Sequence, residues 1–94
     1  MNAAAPADAD ARLMVDIDLS ILGSAEDRFD RYERDVRREY RWVPGFIYRR
    51  KRAEILGSFL DRPSIFLTGP FRARYEDRAR TNLERSLAKL RRAP

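Results

Sequence analysis

The stretch Asp16-Ile17-Asp18-Leu19-Ser20-Ile21-Leu22-Gly23 divides the chain. Two carboxylates sit two residues apart and run into an apolar segment closed by Gly23. Up to Asp27 the sequence holds six acids and one base; from Arg28 onward it holds nine acids and nineteen bases. Before Leu13 no large apolar residue recurs. After the stretch, apolar residues return every three or four positions, the period of a helix buried on one face. Leu13 or Met14, Ile17 and Ile21 form one such stripe through the stretch itself. Asp18 lies beside that stripe. Asp16 points away from Asp18 by about 200° at ~100° per residue, so a regular helix cannot turn both carboxylates to one site. Gly23 fits the position just past a helix end, where a left-handed conformation closes it.

Downstream, Ser24 and Asp27 have the spacing of a capping box for a helix over about 25–41. Phe29, Tyr32, Val36 and Tyr40 mark its apolar face, with charged residues between them. Trp42 and Val43 follow, and Pro44-Gly45 breaks the run. A third helix is predicted over 46–60, burying Phe46, Ala53, Leu56, Phe59 and Leu60. Gly57 inside it suggests a close helix contact. The patch Ser64-Ile65-Phe66-Leu67 is placed to plug a core from a connector. Thr68 then caps a helix over 70–91, with proline in its first turn, and Phe71, Tyr75, Ala79, Leu83, Leu87 and Leu90 define its face. No stretch alternates like a half-buried strand. The fold class is all-α, three main helices plus a short N-terminal helix. The expected core is Phe29, Tyr32, Val36, Leu56, Phe59, Leu60, Phe66, Phe71, Tyr75, Leu83 and Leu87.

With 94 residues the chain is one domain or part of one. We read residues 1–11 as a disordered acidic tail and 12–94 as the helical domain. The chain has no cysteine and no histidine. That removes thiolate sites, the commonest metal ligand and the commonest acid–base group at neutral pH. Met1 to Asp10 lacks the basic and apolar regions of a signal peptide, and no run approaches the ~18 apolar residues of a membrane span. A cytoplasmic protein is expected. The net charge of +5 has two readings. Bases interleaved with Glu and Asp at helical spacing describe solvated helix faces. Alternatively, Arg49, Arg50, Lys51, Arg52, Arg72 and Arg74 form a surface for nucleic acid or an acidic protein partner.

The quoted stretch resembles the segment that closes the metal site in a bacterial family of predicted metal-dependent phosphohydrolases of the HD superfamily. The resemblance continues through Tyr32, Val36-Arg37-Arg38-Glu39-Tyr40, Val43-Pro44, Tyr48, Arg52, Ile55-Leu56 and Phe59-Leu60. It goes on through Arg62-Pro63, Ile65-Phe66, Thr68, Phe71, Tyr75-Glu76, Ala79-Arg80 and Asn82-Leu83, so it covers about Leu13 to Leu90. It implies the C-terminal part of an HD-like helical fold, with a divalent metal ion acting on a phosphate-ester substrate. That superfamily holds its metal through a histidine, a His-Asp doublet and a late aspartate. Only the late portion has a counterpart in this sequence. By that pattern Asp18 is the metal ligand and Asp16 a neighbour that orients it. The chain alone is then expected to be inactive. A half-domain leaves apolar surface uncovered, here around Leu13, Met14, Ile17, Ile21 and Trp42. Self-association or a missing N-terminal half would cover it.

Overall fold

The structure is a computed structural model and describes residues 9–92. The described residues are all-α, with no strand. Helix α1 spans Ala9–Leu19 and runs into a 3-10 turn over Ser20–Gly23. Helices α2, α3 and α4 span Glu26–Glu39, Gly45–Leu60 and Gly69–Arg92. Residues 1–8 of the expected tail lie outside the described residues, while Ala9 to Ala11 are already helical. No helix of the described residues is long and apolar enough to cross a membrane.

Helix α4, 24 residues long and so about 36 Å at 1.5 Å per residue, is the spine. The 3-10 turn and α3 pack along it, and α2 crosses it more lightly. Leu22, Phe29, Leu56, Ile65, Phe66, Ala79 and Leu83 form the buried core, with Phe59, Leu60, Phe71 and Tyr75 packed against it. Every residue of the expected core is buried or half-buried. Ile65 and Phe66 plug the core from the connector, as their sequence context suggests.

Polar side chains of α4 satisfy the irregular backbone around it, which buried amides and carbonyls require. The Glu76 carboxylate accepts from the Ile65 and Phe66 amides at 2.9–3.2 Å. Arg80 donates to Glu76 and to the carbonyls of Leu60, Arg62 and Pro63. Asn82, buried, donates to the carbonyls of Leu22 and Ser24, both at 2.9 Å, and so holds the 3-10 turn. Arg85 donates to Asp30 at 2.7 Å. That hydrogen bond, with the neighbouring guanidinium charge, outweighs desolvation and holds the Asp30 carboxyl below its usual range. Glu33 pairs with Arg52 across α2 and α3.

Four local expectations are corrected. Gly23 has no positive φ; it is needed because a Cβ there would lie 2.7 Å from Tyr75 Cβ and 2.9 Å from the Tyr75 carbonyl oxygen. Gly57 faces open space instead of a close helix contact. Ser24 does not cap α2: its hydroxyl donates to the Ile21 carbonyl, and Ala25 occupies the cap position with no side-chain hydrogen bond. Phe46, expected to be buried, is exposed in the first turn of α3. The uncovered apolar surface expected on α1 is largely present. Leu13, Met14 and Ile17 face outward, and the buried residue of that helix is Asp16. Leu13, Met14, Ile17 and Trp42 therefore form exposed apolar surface as expected, while Ile21 is half-buried against the core.

Candidate functional site

The two carboxylates of the quoted stretch have separate fates. Asp16 is 0% exposed. Its Oδ1 accepts from the Leu67 amide at 2.8 Å, and its Oδ2 accepts from the Thr68 amide at 2.8 Å and the Thr68 hydroxyl at 2.7 Å. These donors stand immediately before α4, so Asp16 caps that helix from across the chain and its charge faces the positive helix end. Thr68 sits at the expected cap position, but its hydroxyl donates to Asp16. Helix α1 is thereby pinned to the connector, and Asp16 has both oxygens engaged.

Asp18, two residues on and on another side of α1, is exposed. It lines an open cleft of about 600 Å³ whose other walls include Ser20, Gly23, Arg28, Arg74 and Arg78. The arginines come from the first turns of α2 and from α4, and the close approach of Gly23 to Tyr75 draws those elements together. No ion pair joins Asp18 to any of the three among the described residues. The hydroxyls of Ser20 and Ser24 donate to the carbonyls of Ile17 and Ile21, at 2.7 Å each. The guanidinium groups are therefore the cleft's charged donors, beside the Tyr75 ring. Three fork-shaped cations lining one cleft suit a ligand with several anionic oxygens.

The metal site that the resemblance implies is not completed by the described residues. Among them, no group of three or more His, Cys, Asp or Glu side chains could hold a metal ion. Asp18 is a single hard-oxygen ligand, and divalent cations take several at once. Asp16 offers no second ligand while it caps α4.

Of the basic residues singled out in the sequence, Arg52 is tied to Glu33 and Arg72 donates to the carbonyls of Phe66 and Leu67. Arg74 lies in the Asp18 cleft. Arg28 and Arg78 were not identified from the sequence. They are 50 residues apart and carry no local signal; only the packing of the 3-10 turn on α4 makes them neighbours. No protein-family model matches the chain, and no curated protein or solved structure matches it either.

Proposed function

We propose that this chain is the phosphate-holding part of a phosphohydrolase of the HD type, active only when a histidine-bearing segment is added to it. The observation that supports the reading is the cleft in which Asp18 stands beside Arg28, Arg74 and Arg78. In this reading the arginines hold the phosphoryl oxygens, and Asp18 is the one carboxylate of the motif left exposed for the added ligands. The uncovered apolar residues of α1, Leu13, Met14 and Ile17, flank Asp18 and offer the added segment a place to pack. Without histidine the chain binds phosphate and does not turn it over.

Calorimetry with inorganic phosphate tests the binding half. Arg74→Ala with Arg78→Ala should weaken binding about 10-fold or more, the loss expected of charged hydrogen bonds. Asp18→Asn should tighten it about 2- to 5-fold by removing an exposed like charge. The catalytic half is tested with p-nitrophenyl phosphate and Mg²⁺ or Mn²⁺. The chain alone should give only background hydrolysis. A fusion to the N-terminal segment of an HD-type protein should give activity that Asp18→Ala abolishes. Turnover by the chain alone, unaffected by Asp18→Ala, would overturn the reading.

A further inference from the structure

The chain has one Trp, four Tyr and five Phe. Only Tyr40, Trp42 and Phe46 are exposed, at 47%, 75% and 64%, and all three fall within the corner between α2 and α3. The remaining rings are buried or half-buried. The corner is held in shape. The Arg37 guanidinium donates to the carbonyls of Tyr40 and Val43 at 3.0 and 3.2 Å and lies 4.5 Å over the Tyr48 ring. The Val43 amide closes the turn onto the Tyr40 carbonyl at 2.9 Å. Tyr40 and Trp42 stand 6.3 Å apart at 51°, so the two rings are tilted and not stacked on each other.

A cleft of about 360 Å³ opens beside Tyr40, walled also by Val36, Val43, Tyr48, Lys51, Arg52 and Ile55. Its lining is mainly apolar with cations at the edge. Arg41, Arg50 and Lys51 are exposed around the corner, against Glu39 and Glu54, while Arg38 pairs with Asp35 at 3.4 Å. Flat apolar faces edged by cations match a ligand that alternates flat rings with anionic groups.

We propose that the α2–α3 corner binds single-stranded nucleic acid, Tyr40 and Trp42 stacking on bases while Arg41, Arg50 and Lys51 face the phosphates. Unpaired bases present their faces to aromatic rings, whereas a duplex keeps them stacked internally. A lipid surface fits less well. The rings sit on a tight corner and not along one helix face, so they form no apolar plane to lie in an interface. Aromatic rings and arginines also suit a protein interface, so a Trp42 that gives no response to the strand is the outcome that favours one. This inference is independent of the phosphohydrolase reading.

Trp42 is the sole tryptophan, so its fluorescence reports on the proposed contact directly. The full chain is titrated at low salt with an oligothymidine or oligouridine strand of about 12 nucleotides, within the usual site size. Saturable quenching is expected, with affinity that falls steeply as salt rises. Anisotropy of a labelled strand should show Trp42→Ala binding about 5- to 150-fold more weakly, the range of one base stack. Trp42→Phe should retain most of the affinity, and Arg50→Glu with Lys51→Glu should reduce the salt slope. Circular dichroism checks that the variants stay helical. Binding that leaves Trp42 unquenched, equal affinity for duplex, or a Trp42 response to anionic vesicles with none to the strand would overturn the proposal.

Discussion

Replacing Asp16 by alanine is expected to destabilise the protein by about 2–5 kcal/mol, because two amides and a hydroxyl lose the carboxylate that accepts from them. Its oxygens accept from the Leu67 and Thr68 amides and the Thr68 hydroxyl, all at the entrance to α4. A domain of this size holds roughly 5–15 kcal/mol in total, so Asp16→Ala should be largely or wholly unfolded by modest urea. Asp16→Asn keeps the shape but turns an amide N–H₂ toward backbone N–H groups, and should cost about 2 kcal/mol or more. Asp18→Ala, on an exposed side chain without a hydrogen-bond partner among the described residues, should stay within about 0.5 kcal/mol of the parent. Urea unfolding followed by circular dichroism measures all three. Equal effects at the two aspartates would show that the motif is not divided between fold and site.

The two glycines that interrupt apolar patterns should respond with opposite signs. Gly23→Ala places a methyl 2.7 Å from Tyr75 Cβ and 2.9 Å from the Tyr75 carbonyl oxygen. Neither atom is the free end of a flexible side chain, so the 3-10 turn must move away from α4. Overpacking of this kind costs about 1–3 kcal/mol. It also spreads the walls that carry Arg28, Arg74 and Arg78, so phosphate binding should weaken with it. Gly57→Ala meets nothing within 4 Å. It should stabilise α3 by about 1 kcal/mol through helix propensity alone. Paired urea midpoints, one falling and one rising, are the expected result.

The helices α2 to α4 were legible because each buries one face, and that burial writes a three-and-four period into the sequence. The corner at Pro44-Gly45 was legible because proline and glycine break a helix, and the plug at Ile65 and Phe66 because apolar residues outside a helix need a core. Helix α1 was half legible: its apolar stripe is exposed as expected, but its buried residue is a carboxylate. Periodicity reports that a face is apolar, not what covers it. Asp16 caps a helix that starts more than fifty residues later, and no window along the chain contains both partners. The geometric separation of Asp16 from Asp18 was legible, since a regular helix dictates it.

The residues Glu76, Arg80 and Asn82 follow the same logic. Each meets backbone groups far away in sequence, so in the sequence they read as ordinary polar positions on a helix face. The cleft arginines were half legible. Arg74 stands out as part of a basic surface, but its grouping with Arg28 and Arg78 exists only once Gly23 has brought the 3-10 turn against α4.

The central claim is that Asp16 belongs to the fold and Asp18 to an anion-holding cleft. An amide NMR titration with inorganic phosphate tests it most directly. The account predicts progressive shifts at Gly23, Ser24, Ala25, Arg28, Arg74 and Arg78, while the Leu67 and Thr68 amides stay unmoved and protected from exchange. Shifts at Leu67 and Thr68 with none around Gly23 and Arg78, or no response anywhere, would contradict it.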